Sequence, residues 1–298
     1  MTTVAVIAHV GKSLGGGLSE LRHELASYGF DQPLWYEVAK SRQVPDVARE
    51  AVSEGADLVF VWGGDGTVQQ CIDALAGQDI PIAILPAGTG NLLARNLSIP
   101  MTVPEAVRVG LHGDRRTIDT GTVNGEHFSI MAGAGLDALA MKDADKGLKD
   151  RVGRVAYLWT GARNLQSKPV RCTVDVQGRR FFKGKMTCVL LGNLSEIMAG
   201  IEVFDDSTPE DGVLELGVVS AKSRAQWIRT VSRVVVGRLD KSPFVVSTRG
   251  SNVSIKFDRA IPYELDGSVR KATKKLRIKV RPLSITICVP TAEAADRA

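Results

Sequence analysis

The chain has 298 residues, a net charge of +5, 44% hydrophobic and 24% charged residues. Those are ordinary globular values, and the length is close to where one core gives way to two. No stretch approaches the roughly 20 apolar residues of a membrane-spanning helix, and the apolar run Val4–Val10 is short and lacks the basic leader of a secretory signal. Four widely spaced cysteines, Cys71, Cys172, Cys188 and Cys288, sit in apolar segments and read as buried thiols of a reducing cytoplasm. His9, His23, His112 and His127 lack metal-ligand spacing.

In chain order, Val4–Ala8 reads as a buried strand, followed by the loop His9–Gly17 and a helix with Leu18, Leu21 and Leu25 on one face. Gly11-Lys12-Ser13 resembles the end of a P-loop without its upstream glycine, which leaves Lys12 as a candidate phosphate contact. A strand over Pro33–Ala39 and a helix over Pro45–Glu54 come next. The strand Leu58–Trp62 then runs into Gly63-Gly64-Asp65-Gly66-Thr67, with a helix from Thr67 to about Ala76. Three glycines let the backbone turn sharply and approach a ligand closely. The helix start offers free N–H groups and positive potential. This is a phosphate cradle carrying one carboxylate, and a carboxylate beside phosphates points to a divalent cation between them.

Ile80–Leu85 reads as a further strand, ending in Pro86-Ala87-Gly88-Thr89-Gly90-Asn91 before a helix from Leu92. Repeated strand–loop–helix units imply a parallel sheet with its ligand at the carboxyl ends of the strands. The two glycine loops are therefore expected to converge. No Gly-x-Gly-x-x-Gly with a downstream acid follows the first strand, which argues against a dehydrogenase.

After a helix over Val103–His112 the pattern changes. Arg116–Val123 and His127–Ala132 read as strands joined at Asn124-Gly125. Gly133-Ala134-Gly135-Leu136-Asp137 opens a helical interlude to about Gln166, amphipathic over Val152–Leu165. Strands are then expected at Val170–Val176, Lys185–Leu191, Val213–Ser220, Phe244–Ser247, Ser251–Phe257, Lys275–Val280 and Ser284–Val289, with one helix near Arg224–Val236. The alternating Lys275, Arg277, Lys279 and Arg281 read as a solvated strand face. Without a row of stacking aromatics they argue against nucleic acid as a partner.

Six ordered motifs resemble the diacylglycerol kinase catalytic-domain family, in its bacterial soluble lipid-kinase branch. They are Gly63–Thr67, Ile84–Asn91, Gly133–Asp137, Leu191-Gly192-Asn193, Thr208–Leu214 and Tyr263–Ser268. The resemblance implies an α/β N-terminal domain similar to phosphofructokinase and NAD kinase over 1–116, rejoined by the last strand in 284–298. An antiparallel β-sandwich lipid-substrate domain over 117–283 accompanies it, with the active site in the cleft between. It further implies transfer of the γ-phosphate of ATP to a lipid hydroxyl, most simply that of diacylglycerol. Carried over by position, Gly64, Asp65, Gly66, Thr67, Val68, Gln69, Gln70 and Thr89 contact nucleotide, and Gly63, Gly88 and Asn91 of the same loops are expected to bind it with them. Asp65 faces the phosphates and Mg²⁺, and Asp211 holds a second Mg²⁺ with the carbonyls of Thr208 and Val213.

Three positions depart from the family pattern. Ser268 stands where many members carry a glutamate proton acceptor, so either Asp266 serves or the acceptor hydroxyl needs little base help. Gln69 replaces a frequent asparagine, and Val38 falls where a threonine contact is expected. The alternatives are an NAD kinase-like phosphotransferase on a soluble acceptor and a nucleotide-binding regulator without catalysis. A lipid acceptor implies a cytoplasmic protein making peripheral membrane contact through basic and apolar residues of the second domain or through Val152–Leu165. A homodimer is the general expectation for oligomeric state.

Overall fold

A computed structural model describes residues 2–135, 169–198, 201–202, 204, 207–221, 223–235 and 242–292. The chain divides into two units. One is Met1–Asp119 with Pro282–Ala298, and the other is Thr120–Arg281.

The first unit carries strands β1 (Val4–His9), β2 (Leu34–Val38), β3 (Leu58–Gly63) and β4 (Ile82–Pro86). Its helices are α1 (Leu18–Ser27), α2 (Val44–Ser53), α3 (Asp65–Leu75), α4 (Leu92–Asn96) and α5 (Val103–His112). β2, β1, β3 and β4 pair in parallel in that order. The C-terminal end of the last strand adds beside β4, with Ile287 opposite Ile82. β3 and β4 are buried along their whole lengths, which is why they read as unbroken apolar runs rather than alternating ones. Leu21 and Leu25 of α1 and Val103, Ala106 and Val107 of α5 pack with Phe60, Trp62 and Leu85 in this unit's core.

The second unit is antiparallel. Its strands are β5 (Asp114–Val123, entering from the first unit), β6 (Glu126–Phe128), β7 (Met131–Gly135), β8 (Val170–Val176), β9 (Arg179–Met186), β10 (Cys188–Gly192), β11 (Glu196–Met198) and β12 (Ile201–Glu202). β13 (Leu214–Val219), the helix α6 (Arg224–Val235), β14 (Val245–Gly250), β15 (Asn252–Leu265) and β16 (Ser268–Val289) follow. The order β14, β13, β10, β7, β15, β16 is hydrogen-bonded throughout, and β8 branches from β15 to pair with β9. The inward residues Val174, Met186, Leu191, Leu216, Ile255 and Ile278 form one core. The α/β class, the β-sandwich class and the return of the last strand agree with the sequence reading.

Several local expectations change. Gly133-Ala134-Gly135 does not start a helix but lies in β7, between β10 and β15. Its small residues suit a strand buried between two neighbours: a Cβ on Gly135 would stand 2.4 Å from the Thr187 carbonyl oxygen. The strand expected over His127–Ala132 is broken at Ser129–Ile130, where a carboxylate from the turn between β15 and β16 takes the backbone N–H groups. The strand expected over Lys185–Leu191 breaks at Thr187, whose N–H and hydroxyl both donate to the Val219 carbonyl, at 2.8 and 3.0 Å. The two strands expected at Lys275–Val280 and Ser284–Val289 are one, β16. The helical interlude beyond Gly135, including Val152–Leu165, lies outside the described residues.

Candidate active site

The glycine turn after β3 and the loop after β4 meet in the first unit. Their backbones touch: a Cβ on Gly88 would lie 2.4 Å from the Gly64 Cα, and one on Gly64 would lie 3.1 Å from the Gly88 Cα. No side chain larger than hydrogen fits between them without displacing main chain.

Asn91 holds the second loop from within. It sits in the left-handed region at φ 49°, which asparagine tolerates better than most residues. Its Oδ1 accepts the Gly88 N–H at 2.9 Å, and its Nδ2 donates to the carbonyls of Pro86 and Gly88, each at 2.8 Å. Asp65, the first residue of α3, reaches across, and its Oδ1 accepts the Leu92 N–H at 2.6 Å. One carboxylate thus opens one helix and caps the next, where the helix dipole favours negative charge. Burial raises the Asp65 carboxyl above its ordinary pKa, opposed by the N–H groups of Leu92, Asn91 and Leu93.

The remaining expected nucleotide contacts divide by exposure. Thr67, Val68 and Gln69 are buried, and the N–H groups of Thr67 and Val68 donate to the Gly64 carbonyl at 2.8 and 3.1 Å, which takes them from a ligand. Gly66 and Gln70 are half-buried and Thr89 is exposed; the Gln70 amide donates to Gln69 Oε1 at 2.8 Å. Gly63 is fixed by crowding, since a Cβ there would come within 2.4 Å of the Thr67 Cβ. The Lys12 side chain is exposed, while its carbonyl accepts the Trp62 indole N–H at 3.1 Å, tying the first loop to the end of β3.

Two nearby residues escaped the sequence reading. The Ser41 hydroxyl lies 3.1 Å from the Thr67 hydroxyl, next to the buried Val38. Arg95 places its guanidinium on the Gly90 carbonyl at 3.0 Å. Ser41 lies in a short 3₁₀ turn ahead of α2, and nothing in its spacing marked it.

The second unit contains a different carboxylate centre. Asp266 and Gly267 form the two-residue turn between β15 and β16, with φ 43° and 79° and Leu265 paired to Ser268. Both central residues have positive φ, as a type I′ hairpin turn requires. The buried Asp266 carboxylate accepts four hydrogen bonds. Oδ2 takes the Ser129 N–H and hydroxyl at 2.8 and 3.0 Å, and Oδ1 takes the N–H groups of Ile130 and Met131 at 2.9 Å each. Asn193 grips the same corner. Its N–H donates to the Ile130 carbonyl and its side chain to the Ser129 carbonyl, at 2.9 and 3.0 Å. Glu264 accepts the Gly267 N–H at 2.8 Å. Two of the sequence motifs, Leu191-Gly192-Asn193 and Tyr263–Ser268, therefore meet at Ser129–Met131. Burial pushes the Asp266 carboxyl up to about 6, against the four donors that favour its charged form. Ser268 is half-buried, and its carbonyl accepts from Arg270, whose guanidinium also grips Glu126.

In the Thr208–Val213 loop the Asp211 side chain accepts the Val213 N–H at 3.0 Å, the Asp211 N–H lies 3.4 Å from the Thr208 carbonyl, and Gly212 has φ 73°. Thr208 and Asp211 are exposed. Among the described residues no group of three His, Cys, Asp or Glu side chains gathers as a metal site. The loop's donors are all oxygen and open to water, which fits a cation that keeps most of its hydration shell.

A parallel α/β sheet whose paired glycine turns open onto helix N-termini, joined in one chain to an antiparallel β-unit, defines a phosphate-handling enzyme of the kinase class. The model of the diacylglycerol kinase catalytic domain matches residues 11–123. That of the YegS C-terminal NAD kinase beta sandwich-like domain matches residues 130–289. The chain belongs to this family of ATP-dependent phosphotransferases. It is 29% identical over 225 residues to a diacylglycerol kinase of Bacillus subtilis, covering 74% of each chain. It is 29% identical over 247 residues to a "probable lipid kinase YegS-like" protein of Pseudomonas fluorescens, covering 82% of this chain and 81% of that one. The crystal structure of a diacylglycerol kinase from Bacillus anthracis shares the fold, with a TM-score of 0.75 at 22% identity over 96% of both chains.

Proposed function

We propose that this chain transfers the γ-phosphate of ATP to the hydroxyl of a membrane lipid, diacylglycerol before others. The backbone contact between Gly64 and Gly88 carries the reading. It gathers the amino-terminal ends of α3 and α4 around Asp65, an arrangement suited to a polyphosphate. The names of the Bacillus and Pseudomonas relatives support a lipid as acceptor.

In this reading the N–H groups of Gly64, Gly66 and Thr89 bind and orient the phosphates, with Lys12 and Arg95 adding positive charge at the rim. The acceptor oxygen bonds to the γ-phosphorus as the bond to the bridging β–γ oxygen breaks. ADP leaves, and the hydroxyl proton passes to solvent. Such transfers depend mainly on positioning and electrostatics, so a strong base is not required. Asp65 and the Asp211 loop are the residues that would hold Mg²⁺, which supplies charge neutralisation for the phosphates.

Asp266 has a different part. With both oxygens engaged by Ser129–Met131, it shapes the corner rather than accepting the substrate proton. Ser268 puts a hydroxyl rather than a carboxylate two positions on, consistent with transfer that needs no dedicated base. The protein works at the cytoplasmic face of the membrane in this account, and no described helix is long and apolar enough to cross it.

The test is transfer of labelled phosphate from ATP to diacylglycerol, sphingosine or ceramide in mixed micelles, with NAD as the competing acceptor. Labelled lipid is the expected product. Formation of NADP in place of labelled lipid would move the chain to the NAD kinase side of its fold. ATP-dependent thermal stabilisation without turnover on any acceptor would make it a nucleotide-binding regulator.

A further inference from the structure

The outward face of β9, β8, β15 and β16 is a continuous cationic surface within the second unit. The pairing register puts Lys183 opposite Thr173, Thr173 opposite Lys256, and Lys256 opposite Lys275. One row across four strands therefore carries three lysines. In the next row Lys185 faces Arg171, and further along β16 Arg277 and Lys279 stand opposite Ser254 and Asn252. Arg171, Lys183, Lys185 and Lys256 are exposed, and with Thr173 and Asp258 they line a cavity of about 570 Å³.

Folding does not explain this pattern. Like charges directly opposite on paired strands are unfavourable, yet Arg171 faces Lys185 and Lys256 faces Lys275. Lysine on a strand often protects a sheet edge from pairing, but β8 and β15 have hydrogen-bonded neighbours on both sides. Few acids relieve the field: Asp175, on the same face, is engaged by Arg180 at 2.6 Å, which leaves Asp258 in the neighbourhood of the cavity.

We propose that this face docks on the surface of an anionic lipid bilayer. The inference rests on the lipid-kinase reading for its purpose and on the charge pattern for its substance. Four strands spaced about 4.8 Å apart present a broad array of cations, matched to a plane of headgroups. Flexible lysine and arginine stems let the charges follow that plane. The face carries no exposed aromatic side chain to stack on bases, which favours a lipid surface over a single-stranded nucleic acid.

The experiment is co-sedimentation of the full chain with vesicles of phosphatidylcholine containing phosphatidylglycerol, and with phosphatidylcholine alone, at low salt and at about 0.5 M salt. The protein is expected to sediment with the anionic vesicles only and to be released by salt. The double variant Lys183→Glu/Lys256→Glu should bind at least about tenfold more weakly. Arg49→Glu/Arg108→Glu makes the same change in net charge on exposed helix positions of the other unit, and should stay within about twofold of the parent. Equal loss in both double variants would reduce the effect to net charge and overturn the docking face, as would absence of binding by the parent. Stronger, variant-sensitive binding to a single-stranded polynucleotide than to vesicles would assign the face to nucleic acid instead. Phosphate transfer to a short-chain diacylglycerol dispersed without vesicles should be the same in parent and both variants. If transfer is absent while vesicle binding follows the predicted order, the docking face stands and the acceptor reading falls.

Discussion

Asp65 and Asp266 are both aspartates that accept backbone N–H groups, yet their surroundings give them opposite prospects. Asp65 is half-buried at the start of α3 and caps α4. Asp266 is buried in a hairpin turn with both oxygens taken. A carboxylate at a partly open helix terminus can exchange a backbone partner for a ligand or a cation. One that holds three consecutive N–H groups of a chain corner cannot do so without opening that corner. In the reaction proposed above, the first is the residue available for chemistry and the second belongs to the frame.

Replacing Asp65 gives the largest expected effect. Asp65→Ala should lower phosphate transfer by about 10³-fold through lost electrostatic stabilisation of the transferring group, while loss of the cap costs the fold only about 1 kcal/mol. Kinetics beside a denaturation curve check both parts. A loss of stability that accounts for the missing activity would erase the contrast with Asp266.

Asp266→Asn should act mainly on the fold. The amide NH₂ would face donors, leaving about half of them without an acceptor at a cost of about 3 kcal/mol. Transfer per folded molecule should fall much less than in Asp65→Ala. The pH dependence sharpens this. Burial pushes the carboxyl up to about 6 in the fold from an ordinary value of 3.8, so the native state holds the proton more tightly. Its stabilising contribution is full below about pH 4 and is lost as the pH rises through 6. Urea titrations between pH 4 and 7 should show that slope in the parent chain and not in Asp266→Asn.

Smaller effects come from the loops. Gly88→Ala drives a methyl into the Gly64 main chain, and ATP affinity measured by calorimetry should drop about tenfold or more as the turns separate. Ser268→Ala should change turnover by less than about twofold, since no step depends on its hydroxyl.

The sequence made the first centre legible because glycine, a short carboxylate and a helix start leave few other physical readings. Unbroken apolar strands such as Leu58–Trp62 marked the parallel sheet for the same reason. The second centre was harder. Asp266-Gly267 carries the same hairpin chemistry as Asn124-Gly125, which was recognised, but the strand reading of β15 stopped at Phe257 and hid the turn. The contacts to Ser129–Met131 join residues more than 130 positions apart, and no local periodicity reports such a partner. Gly133–Gly135 misled because small residues suit a helix start and a strand packed between neighbours equally well.

The most direct test of the account is transfer of γ-labelled phosphate from ATP to diacylglycerol in mixed micelles, by the parent chain and by the Asp65→Ala and Asp266→Asn variants under conditions where each is folded. The account predicts labelled lipid from the parent, near-complete loss with Asp65→Ala, and substantial retention with Asp266→Asn. Retention with Asp65→Ala together with loss in folded Asp266→Asn would contradict it, by placing the chemistry at the second carboxylate.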